Sequence, residues 1–260
     1  MKPAQARVLL TGASGGIGQA MVTALLQAGA QVLGVSRSPQ TGAPDLRWVQ
    51  ADLSRPGDVA HIAQAAEAWG SNVVVHAAGL PAFGALGRLT PEQMQAVLQA
   101  NLLAPMQLTQ ALLPQLQRQP HAQIVFVGSA LGRIGLPGFS LYTASKAGLH
   151  GFAEALRREL ADTPVRVQLL APRSTRTAFN DAATEAYNRA TGTASDSPQQ
   201  VAQALLALIE SEAAERYIGW PERLGVRLGG AFPPVLDGSF KKHRDQLAAV
   251  SPTIPQGVAS

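Results

Sequence analysis

The sequence predicts an α/β fold: a doubly wound parallel sheet of about seven strands with helices on both faces. Three observations lead there. Short apolar runs alternate with longer stretches of helical periodicity. Several of those runs are apolar on both faces, as strands covered by helices on either side must be. A glycine-rich turn stands between the first apolar run and the first helical stretch. Alternation of this kind implies right-handed crossovers into one sheet.

The elements follow in order. RVLLTG (7–12) opens the sheet, and a helical stretch near 17–29 follows it. AQVLGVSR (30–37) and LRWVQAD (46–52) are the next strands, leading into a helix near 57–69. NVVVHAAG (72–79) is the fourth strand. A long helical stretch over 91–117 starts at Thr90-Pro91, an N-cap with proline in the first turn. AQIVFVGS (122–129), a helix over 142–161, VRVQLLAP (165–172) and a helix over 198–212 complete the pattern. No repeat, low-complexity segment or linker divides the chain. Residues 1–250 therefore read as one domain, with a polar, helix-poor lid near 178–197, an extension over 217–250 and a frayed tail at 251–260.

Composition narrows the function classes. The 260 residues can bury a substantial core, and 46% hydrophobic against 15% charged residues excludes a disordered chain. A net charge of +4, without any dense basic run, excludes a dedicated nucleic-acid binder but suits an anionic small molecule. With no cysteine, disulfides, thiolate metal sites and a cysteine nucleophile are all excluded. His61, His121, His150 and His243 lack metal-ligand spacing, so no metal is expected. No stretch reaches the ~20 apolar residues that span a bilayer. The opening apolar run breaks at Gly12 and does not read as a signal peptide, so a cytoplasmic protein is expected.

In a doubly wound sheet, ligands bind outside the carboxyl ends of the strands. The first strand ends in TGASGGIG, where Gly12, Gly16 and Gly18 permit a tight turn and close approach to a pyrophosphate. The next helix aims its N-terminal amides at the phosphates, which makes Gly12, Ser14, Gly15, Gly16, Ile17 and Gly18 the expected cradle. At the end of the second strand an acidic residue would select NAD(H) through the adenosine ribose hydroxyls. Ser36 and Arg37 stand there instead, and a guanidinium can pair with a 2′-phosphate, so NADP(H) is expected over NAD(H). The alternative for Arg37 is a solvated loop charge. Asp52 and Leu53 at the third strand end suit the adenine, and Ala77, Ala78 and Gly79 at the fourth let a cofactor lie against backbone. Ser129 ends the fifth strand and PRSTRT the sixth. Tyr142 and Lys146 then begin the following helix one turn apart, on the same rim.

Taken together, these residues resemble the classical short-chain dehydrogenase/reductase family over nearly the whole chain. The resemblance is carried by TGASGGIG at 11–18, Asp52, AAG at 77–79, Asn101, Ser129, Tyr142 and Lys146 at their four-residue spacing, and Pro172 through Thr177. It implies a Rossmann-type domain and a nicotinamide cofactor, with Pro172, Thr175 and Thr177 on the nicotinamide side and Thr177 bonded to the carboxamide. It also implies that Tyr142 and Lys146 touch the cofactor, with Lys146 bonding the nicotinamide ribose, and that Asn101 holds a water in a proton relay.

A ketone must receive a proton at oxygen as it is reduced. Tyrosine's ordinary pKa of ~10 is too high for ready exchange, and a neighbouring ammonium together with oxidised nicotinamide is expected to lower it. Tyr142 is then the general acid in reduction and the base in oxidation, tuned by Lys146, with Ser129 holding the substrate oxygen. Asn101 can equally be a helix-kink residue satisfied by backbone, and Thr177 an N-cap.

Two residues depart from the family pattern. His76 stands where asparagine is usual and reads as a packed histidine. Arg173 replaces a glycine and is expected either to touch a cofactor phosphate or to restrict the lid.

Leu80, Phe83, Leu136, Phe139, Phe179 and Tyr187 are the candidate pocket walls. They suggest an apolar carbonyl or alcohol substrate that is lipid-like, acyl or cyclic. Tyrosine, lysine and serine are all present, against the alternative of a non-catalytic NADP(H)-binding sensor or scaffold on the same fold. An epimerase or dehydratase would need a nucleotide-sugar subsite, and none is visible. The 217–250 extension is expected to dock on the domain, with 217–240 covering the substrate pocket, rather than on a membrane surface, because glycines and prolines break its apolar stripe. Apolar faces on 91–117 and 142–161 point to a homodimer or homotetramer, the contact the resemblance also implies.

Overall fold

A computed structural model of the chain describes residues 1–38, 40–219, 237–238 and 240–250. Seven strands form one parallel sheet: β1 (Arg7–Thr11), β2 (Gln31–Ser36), β3 (Leu46–Gln50), β4 (Val73–His76), β5 (Ala122–Val127), β6 (Val165–Ala171) and β9 (Glu215–Tyr217). Their order is β3-β2-β1-β4-β5-β6-β9. β1 pairs with β2 on one side and β4 on the other, with Leu9 opposite both Leu33 and Val74. The strand order therefore reverses at β1, and a crevice opens above the carboxyl ends of β1 and β4.

Alternation along each strand sends side chains into two apolar layers. Leu9, Ile124 and Phe126 join Ile62, Leu108, Leu112 and Leu149 on one face, which is covered by α2 (Pro56–Trp69), α4 (Ala104–Gln117) and α5 (Ser140–Glu159). Leu10, Val75 and Val125 join Met21, Leu25 and Leu205 on the other, under α1 (Gly16–Gln27) and α7 (Pro198–Ser211). Each large aliphatic side chain withdrawn from water contributes roughly 1.5–3 kcal/mol, and this burial on both faces fixes the sheet that carries the crevice.

The helix starts obey capping chemistry. Thr90 and Gln93 form a reciprocal capping box at α3 (Pro91–Leu98), and Ser197 and Gln200 form another at α7.

Two expectations are corrected. The stretch 91–117 is not one regular helix. Over Gln99–Leu103 it widens into a π-type turn in which the Ala104 amide bonds the Gln99 carbonyl five residues back. The lid is not helix-poor, because it carries α6 (Ala182–Thr191). Asp181 caps that helix by accepting from the Thr184 amide at 2.8 Å. The lid's ends are joined by a short parallel pair, β7 (Ser174–Thr175) with β8 (Ser195–Asp196). The 217–250 extension holds β9's last residue and a C-terminal helix, Lys241–Val250, which packs on α6. Residues 220–236 and 239 of that extension, and the expected tail at 251–260, lie outside the described residues.

Candidate functional site

One cleft of about 870 Å³ lies above the crevice. It is lined by Gly12, Ser14, Gly15, Gly16, Ile17, Gly18, Ser36, Arg37, Asp52, Leu53, Ala77, Ala78, Gly79, Ser129, Tyr142, Lys146, Pro172, Thr175 and Thr177. The structure thus brings together every residue expected on the cofactor side, with three of the four expected reacting or relay residues. The fourth, Asn101, sits just behind the wall.

The glycine turn is shaped by close approach. A Cβ on Gly12 would come within 2.8 Å of the Ala78 backbone, and φ there is +69°; a Cβ on Gly18 would strike the Gly12 carbonyl oxygen. Thr11 fixes the facing strand end, its hydroxyl accepting from the amides of Ala77 at 3.1 Å and Ala78 at 3.2 Å. The sequence reading missed this role, although a threonine ending the first strand was a usable signal. Helix α1 begins at Gly16 with no side-chain cap and no acidic residue in its first turn. Its leading amides and the positive end of its dipole are therefore open to an anion, which is the donor set a dinucleotide pyrophosphate requires. The residues present fit a nicotinamide dinucleotide.

At the end of β2, the Ser36 and Ser14 hydroxyls are 3.1 Å apart, which ties the glycine turn to the second strand. Arg37 is exposed beside them. Asp52 accepts from the Ser54 amide at 2.9 Å. That bond is the main cause holding its carboxyl below the usual range, with Arg37 and Arg55 adding smaller contributions.

The reacting groups meet on the other side of the cleft. Ser129, at the mouth of β5, accepts from the Leu131 amide at 3.1 Å, and its side chain is close enough to the Tyr142 phenol to favour the phenolate. Lys146 is buried, and its ammonium donates to the Val127 carbonyl at 3.0 Å and lies 5.8 Å from the centre of the Tyr142 ring. Burial pulls Lys146 down to about 8. It also pushes Tyr142 up to about 12, against the opposing influence of the nearby Ser129 hydroxyl. The expectation of a lowered tyrosine is therefore corrected for the protein alone. Phe179 closes edge-on at 6.2 Å, and withdrawing a phenolate from water costs more than the nearby Ser129 hydroxyl returns.

Asn101 stands in the π-type turn. Its Oδ1 accepts from the Leu80 amide at 2.7 Å, while Nδ2 donates to the Leu80 carbonyl at 3.0 Å and to Ser145 at 3.1 Å. A Cβ on Gly79 would come within 3.1 Å of Asn101 Oδ1 and 3.7 Å of the Lys146 ammonium, so Gly79, Asn101 and Lys146 are packed as one unit. The backbone-satisfied reading of Asn101 is the one this geometry displays. Thr177 is not the cap of α6; its hydroxyl accepts from the Phe179 amide at 3.3 Å, and its methyl lies against Gly16.

Both departures find structural partners. His76 stacks on Phe126 at 4.9 Å and bonds Thr109 at 2.9 Å, and burial lowers it to about 3, so it stays neutral. Arg173 reaches the buried Asp196 through Nε at 3.1 Å and Nη2 at 2.9 Å. It thereby ties the chain just after β6 to the chain just before α7. Of the expected walls, Leu80, Phe83, Leu136, Phe139 and Phe179 line the cleft. Tyr187 is instead fully buried behind them. Phe240 and His243 of the C-terminal extension also line the cleft, although no local sequence signal singles out these two residues.

Comparison with known proteins agrees with this geometry. A family model described as short chain dehydrogenase matches residues 6–188. Nodulation protein G of Rhizobium sp. (strain N33) is 32% identical over 223 residues, covering 80% of this chain and 91% of that protein. A 3-oxoacyl-(acyl-carrier-protein) reductase of Vibrio cholerae serotype O1 is 30% identical over 222 residues, 79% of this chain and 90% of the other. Among solved structures, a short chain dehydrogenase from Burkholderia cenocepacia J2315 in complex with NADP matches with a TM-score of 0.81 and 26% identity. That match covers 93% of this chain and 99% of that one.

Proposed function

The chain belongs to the short-chain dehydrogenase family of oxidoreductases, and from that premise we propose that it interconverts a ketone and a secondary alcohol with NADP(H), on an apolar substrate. The observation that carries this is the convergence of Ser129, Tyr142 and Lys146 on the cleft that the glycine turn opens into. NADPH, when bound, supplies a hydride to the carbonyl carbon. Tyr142 gives its phenolic proton to the carbonyl oxygen, which Ser129 holds in place by a hydrogen bond. Lys146 steadies the phenolate left behind, and its place beside Gly79 and Asn101 keeps the ammonium oriented. In oxidation the proton returns from the alcohol to Tyr142. The apolar character is supported by Leu80, Phe83, Leu136 and Phe139 on the substrate side.

Selection of NADP(H) is assigned to Ser36 and Arg37, since no carboxylate ends β2. A charge-assisted bond contributes about 1.5–3 kcal/mol, so Arg37→Ala should narrow the NADPH-over-NADH preference by roughly ten- to a hundredfold while kcat changes little. Dissociation constants for both cofactors check this; equal affinity in the wild type would leave Arg37 as a loop charge only.

The same account assigns residues 1–250 to one domain and self-association to the α3–α4 junction. Leu98 and Leu103 are 39% and 44% exposed there, beside Leu102 and Met106 in a shallow groove. Light scattering should report a dimer or tetramer at micromolar concentration, and Leu103→Glu should shift it toward monomer. A wild-type monomer would contradict the assignment.

A further inference from the structure

The substrate end of the cleft carries an arrangement that proton transfer does not use. The Tyr187 hydroxyl of α6 lies 3.0 Å from the Pro137 carbonyl and 2.8 Å from Nδ1 of His243 in the C-terminal helix. A carbonyl only accepts, so the phenolic hydrogen goes to Pro137. Nδ1 of His243 then carries the ring hydrogen and donates to the Tyr187 oxygen, which leaves Nε2 as a bare acceptor. One buried tyrosine thus joins the loop before α5, the lid helix and the C-terminal helix.

Packing repeats the connection. Phe83 lies 4.9 Å from Phe139 and 5.0 Å from Tyr187, ring centre to ring centre. The His243 ring lies 5.6 Å from Tyr187 and 5.7 Å from Phe240. Gly138, at φ +88°, admits the helix: a Cβ there would come within 2.8 Å of Phe83 and 3.0 Å of Leu247. Phe83, Phe139, Phe240 and His243 face the cleft, and Tyr187 backs them.

We propose that the C-terminal helix is the end wall of the substrate pocket, held by the Tyr187–His243 bond, and that it selects compact ketones bearing one uncharged, ring-sized apolar group. Aromatic rings meeting at offset and edge-on angles offer a second ring contact energy beyond simple burial. A long acyl chain would have to displace the helix and break the buried bond. A carboxylate would lose its hydration against an apolar wall. Tyr187 is a positioning residue, since it acts through His243 and the two phenylalanines. The proposal rests on the ketone-reductase reading of the cleft.

The test compares acetophenone with butanone and with a long-chain methyl ketone, which share the reacting carbonyl. Turnover is measured with NADPH, and binding is measured separately by calorimetric titration into the protein–NADP⁺ complex. Wild type should favour acetophenone over both by at least about tenfold, about 1.4 kcal/mol. Tyr187→Phe and His243→Ala should each reduce the acetophenone to long-chain ratio about tenfold. His243→Asn, whose amide can donate in place of Nδ1, should restore most of it, which simple loss of packing would not allow. Melting temperatures identify any variant that fails to fold, and the Tyr187→Phe and His243→Asn pair then carries the test. Selective binding that responds to these variants without turnover supports the end wall and overturns the reductase reading. Turnover without selectivity does the reverse. Ratios unchanged in both variants, a preference for the long chain, or no binding of any ketone overturns the proposal.

Discussion

Replacing Tyr142 by phenylalanine should abolish turnover while leaving NADPH affinity within a factor of about two. The ring, its 6.2 Å edge contact with Phe179 and the packing around it all remain, so only the exchangeable proton goes. Proton transfer by a positioned group contributes typically ~10²–10⁴-fold, and the loss in kcat should fall in that range. Ser129 keeps its bond from the Leu131 amide, so the neighbouring loop has no reason to move. Single-turnover rates together with cofactor dissociation constants separate the two effects. A variant that retains more than about a tenth of the wild-type rate would remove Tyr142 from its role.

Lys146→Ala should cost about a hundredfold in kcat for ketone reduction and also weaken cofactor binding. The phenolate that forms on Tyr142 is stabilised by an ammonium whose nitrogen lies 5.8 Å from the ring centre. At an effective dielectric of about 20, such a pair is worth roughly 3 kcal/mol, or about two decades in rate. The pH profile gives the sign. Burial places the Lys146 pKa at about 8, so the ammonium is present below that pH and lost above it. Reduction should therefore slow as pH rises through about 8 in the wild type. In Lys146→Ala the rate should be low and lack that inflection. An unchanged inflection would assign it to another group.

The site was more legible in the sequence than its surroundings were. Strand ends are local: an apolar run that stops at Thr11, Ser36, His76 or Val127 places the next few residues on the rim whatever the rest of the chain does. Helical spacing puts Tyr142 and Lys146 on one face, and the strand ends beside them on the same rim give the pair its role. The π-type turn at Gln99–Leu103 was not legible, because it answers to the fit of Asn101 against Leu80 and Ser145, contacts 21 and 44 residues away. The polar composition of 182–191 hides the helix α6, although Asp181 as its cap and Gly192 at its end are readable signals. β9 is three residues long and adds to the sheet edge only because β6 is already there. The raised pKa of Tyr142 is likewise a property of burial, which spacing does not report.

The most direct test of the reductase account is NADPH consumption by the purified full-length protein across a panel of ketones, acyl thioesters and steroids. The expected result is loss of reduced-nicotinamide absorbance with an apolar ketone, one alcohol formed per NADPH consumed, and none of it with Tyr142→Phe. Tight binding of NADPH with no consumption in the presence of any carbonyl compound, and no reverse reaction with the matching alcohols, would contradict it.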